Sequence, residues 1–227
     1  MRLAIDIGNT TVKWGLFEGK ELKSCGYGMP NELMAQANHI LACASGEIQD
    51  SEYNIQLLTP STPLPIRLDY KTPKTLGPDR IAAACGAWAL HHGEDCLVID
   101  AGTCITVDFL DHEGVYHGGA IMPGLGMNLQ ALHTFTAKLP LISLEGVEKA
   151  PVLGRSTEES ILAGTLGATM LALAGYVALY RQKCPALHVL LTGGDASRLT
   201  AAGASGWELQ PHLTLIGLNE ILVTKNK

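Results

Sequence analysis

The sequence predicts an α/β protein made of two similar halves, and three observations carry that reading. The chain has 227 residues, roughly one and a half domains at the usual ~150 residues each and long enough to bury about 70% of its unfolded surface without a covalent or metal staple. Hydrophobic residues make up 47% and charged residues 17%, a globular composition that excludes a disordered chain. The third observation is an internal repeat. Leu3–Leu16 reads LAIDIGNTTVKWGL and Leu97–Leu110 reads LVIDAGTCITVDFL. At a constant offset of 94, Leu3/Leu97, Ile5/Ile99, Asp6/Asp100, Gly8/Gly102 and Leu16/Leu110 coincide. The expected division is therefore residues 1–94 and 95–227.

Each copy begins with an apolar run, turns at D-x-G-[N/T] and continues into a second β-type run. A charged turn follows, Glu18-Gly19-Lys20 in one copy and Asp111-His112-Glu113-Gly114 in the other. A third β-type segment comes next, Glu21–Tyr27 and Val115–Ile121. This pattern is a hairpin meander occurring twice. In the first half, Pro30-Asn31 opens a helix expected near Asn31–Ala44, and a strand is expected at Asn54–Leu58. Pro60, Pro63, Pro65 and Pro73 then favour extended chain. A helix is expected from Gly77-Pro78 to about His91. In the second half, Met122–Gly154 reads as loop-rich. A helix follows Ser156, a buried strand occupies Leu187–Leu191, and a terminal helix lies near Leu218–Val223. Ile161–Tyr180 is twenty residues without a charge, long enough to span a bilayer. Its glycines and threonines and the Ser156-Thr157-Glu158-Glu159 capping pattern instead favour a buried core helix.

Net charge excludes one class of partner. The formal charge is −6, with no Lys/Arg run, so no nucleic-acid footprint is present. An acidic chain that binds phosphate must do so locally, with backbone N–H groups and a few placed cations. Six cysteines without a CxxC pair or zinc spacing read as reduced thiols, and Ile5-Asp6 followed by Gly8-Asn9 argues against a signal peptide, so a cytoplasmic protein is expected.

D-x-G-x-T suits phosphate. Gly8 lets backbone approach a ligand, Asn9, Thr10 and Thr11 offer short donors, Lys13 offers a charge, and Asp6 can hold Mg²⁺ or a metal-bound water. Asp100, Gly102, Thr103 and Thr106 supply the same types in the second copy, so two facing hairpins could hold a triphosphate. At Leu190–Ala196 a buried strand runs into Gly193-Gly194, where a base or sugar can lie flat, with Asp195 expected to cap the next helix. At Gly77-Pro78-Asp79-Arg80, Asp79 suits the first turn of a helix, whereas Arg80 opposes the dipole there and is suited to a bidentate carboxylate. No G-x-G-x-x-G follows a strand and no Walker or G-x-S-x-G motif occurs.

These motifs, in this order, resemble those of the type III pantothenate kinases, within the acetate and sugar kinase, heat-shock chaperone and actin superfamily. Asp6–Lys13 (DIGNTTVK) is similar to the first phosphate motif, Gly77–Arg80 to G-x-D-R, and Asp100–Thr106 to the second phosphate motif. Gly118–Gly124 is similar to GG-x-I-x-PG, Gly154–Thr157 to G-x-[ST]-T, and Leu191–Asp195 to the adenosine motif. The resemblance implies two duplicated RNase H-like (actin-like ATPase) domains with mixed five-stranded sheets flanked by helices and a nucleotide cleft between them. It implies ATP-dependent phosphorylation of pantothenate to 4′-phosphopantothenate, the first step of coenzyme A biosynthesis, by a homodimer using Mg²⁺ and a monovalent cation, K⁺ or NH₄⁺.

Carried over residue by residue, the resemblance makes Asp79 the general base on the pantothenate hydroxyl. Arg80 would bind the pantothenate carboxylate or orient the substrate, and Tyr70, Gly77, Pro78 and Thr157 would line its site. Asp6, Ile7, Gly8, Asn9, Thr10, Thr11, Val12, Lys13, Thr103, Gly193 and Gly194 would bind ATP, with Asp6 also a Mg²⁺ ligand. Asp100 would bind the monovalent cation. Pro78 and Cys104 stand where the family more often has alanine. The alternatives are a kinase of another small acid or a sugar, against which Arg80 argues for the sugar, and a nucleotide-binding regulator, which has no reason to hold Asp79. Neither nucleic acid nor a membrane is an expected partner.

Overall fold

The computed structural model describes residues 1–44 and 55–225. The first copy of the repeat folds as β1 (Arg2–Ile7), β2 (Val12–Glu18) and β3 (Glu21–Tyr27). β1 and β2 pair antiparallel, with Asp6 opposite Lys13, because the tight turn at Gly8 leaves no room for a crossover. The Gly8 amide closes this turn on the Thr11 carbonyl at 3.0 Å.

The helix expected over Asn31–Ala44 is not what forms. Asn31–Met34 makes one helical turn, α1, and His39–Ala44 is strand β4, parallel to β1 with Cys43 beside Asp6. HILACA is a short apolar run that either state can use. The free edge of β1 decides for strand, since pairing there satisfies the backbone and buries Ile40, Leu41, Ala42 and Cys43. The strand expected at Asn54–Leu58 appears as β5 (Gln56–Leu57), Asn54 lying outside the described residues. The first sheet has the order β3-β2-β1-β4-β5. Leu3, Ile5, Ile7, Leu16, Met34 and Ile40 form the core on it.

After β6 (Arg67–Leu68) and a 3₁₀ turn at Pro73–Thr75, α2 spans Pro78–Leu90, as the proline at its first position predicts. The second copy of the repeat gives β7 (Cys96–Ala101), β8 (Cys104–Leu110) and β9 (Val115–Pro123). The stretch read as loop-rich contains α3 (Leu125–Thr134), whose N-cap, Gly124, has no side chain and so gave no capping signal. Ser156 caps α4 (Thr157–Leu162) by accepting the Glu159 amide at 3.1 Å. A π-helical turn at Ala163–Gly167 then leads into α5 (Ala168–Lys183). β10 (His188–Thr192), α6 (Ala196–Ala202), β11 (Glu208–Leu209) and α7 (Leu213–Lys225) complete the chain. The second sheet has the order β11-β10-β7-β8-β9-β6, so the chain is α/β with mixed sheets.

Contacts group the chain into two compact units, Met1–Cys96 with Asp108–Gly118 and His212–Lys227, and Leu97–Val107 with Gly119–Pro211. A cut at 94/95 follows chain order. The contact groups differ from it where the Asp108–Gly118 hairpin tip and α7 join the first unit. In that unit α7 crosses α2 closely: a Cβ on Gly217 would overlap the Ala82 carbonyl, and one on Gly86 would overlap that of Leu213. In the second unit the helical stretch Thr157–Lys183 is long and apolar enough to cross a membrane, but only 39% of its most apolar window is buried. It is therefore less buried than the core helix expected. Ile161, Leu166, Leu173 and Val177 face inward, while Leu171 and Leu179 are 76% and 60% exposed.

Candidate functional site

In the first unit the Asp6–Lys13 turn, the start of α2 and the segment from β6 to Tyr70 hold most of the predicted residues. Asp6 is the penultimate residue of β1, half-buried between Lys13 on β2 and Cys43 on β4. The Cys43 thiol donates to Asp6 Oδ1 at 3.3 Å. Burial pushes the Asp6 pKa up, the Cys43 hydrogen bond and Lys13 hold it down, and the Asp79 carboxylate pushes it up again. Asp6 and Asp79 therefore feel one another across this unit, although 73 positions separate them in sequence. Burial, then Asp6, pushes the Cys43 thiol well up, so it stays protonated and serves as a donor. Ile7 is buried and Val12 half-buried, both serving as wall, while Asn9, Thr10 and Thr11 stand exposed on the turn with Gly8 beneath them. Phosphate oxygens suit that set of short donors.

The α2 start is built around its glycine. Gly77 is the N-cap, Pro78 the first helical residue, and Asp79 Oδ1 accepts the Arg80 amide at 2.9 Å. A Cβ on Gly77 would stand 2.5 Å from Asp79 Oδ1, so the bare glycine is what lets the carboxylate sit there. Arg80 turns inward and is 7% exposed. Its Nε donates to Asp108 Oδ1 and Oδ2 at 3.1 and 3.2 Å and its Nη2 to Oδ1 at 2.5 Å. The carboxylate that Arg80 meets in the structure is thus the protein's own Asp108, where that of the substrate was expected. Burial alone would lower the Arg80 pKa, but Asp108 outweighs it and raises it, so the guanidinium is a fixed cation. The Tyr116 hydroxyl donates to Asp108 at 2.6 Å, and the Tyr70 ring lies 6.0 Å from that of Tyr116.

In the second unit Asp100 is the penultimate residue of β7 and lies beside Gly193. A Cβ on Gly193, whose φ is +96°, would come within 2.5 Å of Asp100 Oδ1 and overlap the Ala101 carbonyl. The Asp195 amide donates to that carbonyl at 2.9 Å, tying the Gly193-Gly194 turn to the end of β7. Asp195 is the N-cap residue of α6 without a side-chain cap bond, and its carboxylate lies 3.6 Å from Arg198 Nε. Thr103 is exposed on the β7–β8 turn, and Gly124 donates its amide to the Thr103 carbonyl at 3.0 Å. Thr157 opens α4 on an open groove of about 770 Å³ lined by Leu132, Leu139, Arg155, Ser156, Ile161 and Gly164 among others. The structure thus groups Tyr70, Asp79 and Arg80 with the Asp6–Lys13 turn in one unit, and Asp100, Thr103, Thr157, Gly193 and Gly194 in the other.

Sequence reading missed Asp108, Tyr116 and Cys43. Asp108 left a signal: it is the one charge inside the apolar strand Cys104–Leu110, and a buried strand carboxylate needs a cation somewhere. Cys43 left none, because its role depends on β4 lying beside β1.

The family model of type III pantothenate kinase matches residues 34–179 of this chain. A type III pantothenate kinase of Bacteroides fragilis is 40% identical over 242 residues, covering 100% of this chain and 99% of its own. The chain belongs to the type III pantothenate kinase family. Solved structures agree on the fold. A Campylobacter jejuni protein described as a Baf family transcriptional activator has a TM-score of 0.67 at 21% identity, covering 99% of this chain and 98% of its own. A Sinorhizobium meliloti protein described as a 2-dehydro-3-deoxygalactonokinase has 0.58 at 13% identity, covering 99% of each chain. In this chain the first Asp-x-Gly turn lies between two strands of a mixed sheet.

Proposed function

We propose that this family member uses Asp79 as the general base in the ATP-dependent phosphorylation of pantothenate. The chain is a kinase that forms 4′-phosphopantothenate, the first step of coenzyme A biosynthesis. One observation supports the assignment of Asp79 above the others. Its carboxylate is held at the first turn of α2 by the Arg80 amide, beside the fixed Arg80 cation and within electrostatic reach of Asp6. A carboxylate so placed accepts the proton of an attacking hydroxyl, and phosphoryl transfer asks for little more than positioning and charge neutralisation. Arg80 and Tyr70 orient pantothenate, with Gly77, Pro78 and Thr157 lining its site. The Asp6–Lys13 turn and Thr103 hold the phosphates, and Gly193-Gly194 the adenosine.

Two cations belong to the proposal. The Asp6 carboxylate is a hard oxygen donor among phosphate-type groups, and this donor set fits Mg²⁺. The Asp100 carboxylate, near the end of β7, is likewise a hard oxygen donor, which suits a monovalent cation. Bound there, the cations supply positive charge that a protein of net charge −6 lacks at the phosphates.

Domain duplication is the natural source of the architecture. The sheet orders β3-β2-β1-β4-β5 and β9-β8-β7-β10-β11 are the same order written twice, with β6 added at one edge, and they start at the two copies of the sequence repeat. The exposed leucines of α5 support a homodimer, since an apolar helix face of this kind is normally covered. A cytoplasmic location accords with six free cysteines. The test is an assay of 4′-phosphopantothenate formation with ATP, Mg²⁺ and K⁺. Asp79→Asn is expected to abolish turnover and keep ATP binding. Full activity in that variant, or none in the wild type with both cations supplied, refutes the assignment.

A further inference from the structure

Arg80 and Tyr70, the two side chains proposed to orient pantothenate, come from different elements and meet on a pair of residues that no motif contains. Asp108 on β8 and Tyr116 on β9 lie in the same unit, buried to 2% and 0% exposure. Asp108 takes the Nε and Nη2 side of the Arg80 fork, which fixes the plane and direction of the guanidinium, and Tyr70 is a further hydrogen-bond partner of the same group. Asp108 Oδ1 also accepts the Tyr116 hydroxyl at 2.6 Å, so the Tyr116 ring is held by both packing and a charged hydrogen bond. The Tyr70 ring tilts at 53° against that of Tyr116. Gly118, with φ +89°, leaves the space Tyr70 occupies: a Cβ there would come within 2.9 and 3.0 Å of its ring.

A buried ion pair is a poor way to gain stability, since well-packed apolar residues of the same volume generally do as well. Its use here sits where the two side chains proposed to orient pantothenate need one fixed geometry. We propose that Asp108 and Tyr116 are positioning residues that preorganise Arg80 and Tyr70 for pantothenate and thereby set the KM for this substrate. The proposal rests on the pantothenate-site reading above.

Tyr116→Phe is the decisive variant, because it keeps the ring against Tyr70 and deletes only the hydroxyl. The KM for pantothenate is expected to rise about five- to thirtyfold, the effect of one loosened charged hydrogen bond, while kcat and the KM for ATP stay within about twofold. Asp108→Asn is expected to raise the pantothenate KM further. If it fails to fold, Tyr116→Phe still decides. A purely structural pair predicts the opposite split: a lowered melting midpoint in Tyr116→Phe with the pantothenate KM unchanged, and that result overturns the proposal. Wild-type turnover of pantothenate is measured first. Its absence sinks the site reading and this inference with it, whereas an active wild type with an unmoved KM in Tyr116→Phe sinks the inference alone.

Discussion

Gly77→Ala isolates the placement of Asp79 from the stability of the fold. Gly77 has φ −56° and ψ 130°, a conformation alanine adopts without strain, so the backbone has no reason to move. The added methyl would stand 2.5 Å from Asp79 Oδ1. Ordinary contact distances are about 3.5 Å, so the carboxylate has to swing away by about 1 Å. The swing strains or breaks its 2.9 Å bond to the Arg80 amide. A displacement of that size at a reacting group costs on the order of 10²-fold in rate. The stability terms are small and partly cancel: alanine is a poorer N-cap than glycine by less than about 1 kcal/mol, and it restricts the unfolded chain. One kcal/mol is worth about 2–4 °C in a chain of this size. The expected outcome is kcat down about a hundredfold with the melting midpoint within a few degrees of wild type, measured by steady-state phosphorylation of pantothenate and by thermal unfolding. A variant with kcat within twofold of wild type would refute the argument that the bare glycine sets the carboxylate position.

Other outcomes follow from the same geometry. Gly217→Ala gains about 1 kcal/mol of helix propensity but drives a methyl into the Ala82 carbonyl at the α2–α7 crossing, so a net loss of more than about 2 kcal/mol is expected in chemical denaturation. Asp6→Asn is expected to raise the thermal midpoint of the ligand-free protein at pH 7 while removing activity. Burial holds the Asp6 pKa above 3.8, so its contribution is fully present below that value and is lost as pH rises through the folded pKa, and a neutral amide escapes that loss. Asp111 behaves in the opposite sense. Burial raises its pKa, but hydrogen bonds from His117 and from the Val115 and Glu113 amides outweigh this and lower it. Its stabilisation is present above pH 3.8 and lost as pH falls through the folded pKa, so Asp111→Asn should lower the midpoint at pH 7 and converge on wild type in acid.

What was legible in the sequence was whatever repeats or punctuates locally. The two Asp-x-Gly hairpins, the Pro78 helix start and the Ser156 cap each occupy a few consecutive residues, and each forms as read. The misreadings share one physical cause: the deciding partner is remote. HILACA became strand β4 because β1, nearly forty residues earlier, offered an edge. The apolar stretch after Ser156 looked like core, yet mean hydropathy cannot tell which face of a helix meets its own unit and which is left exposed. Arg80 was singled out as a carboxylate binder at a position the dipole disfavours, with the substrate as the expected partner, while the carboxylate it meets is Asp108, 28 residues away in a strand read only for its apolar pattern.

The glycines carry a sharper functional signal than their number suggests. Twenty-five glycines against 5% aromatic residues pointed only to close packing. Three of them have a more particular use. On Gly77 the forbidden Cβ would meet the Asp79 carboxylate, on Gly118 the Tyr70 ring, and on Gly193 the Asp100 carboxylate. Each would collide with a side chain assigned to base, substrate or cation by motif alone, and the positions are spread over 117 residues of chain. By contrast Gly19, Gly28, Gly93 and Gly146 meet nothing within 4 Å and serve turns. A glycine kept for a turn tolerates bulk nearby, whereas one kept for a neighbouring side chain fixes where that side chain can point. The expectation is therefore asymmetric. Alanine at Gly77, Gly118 or Gly193 should cost turnover or substrate affinity beyond its cost in stability. Alanine at Gly19 or Gly146, where φ is +60° and +71°, should cost about 1 kcal/mol of stability and leave kcat unchanged.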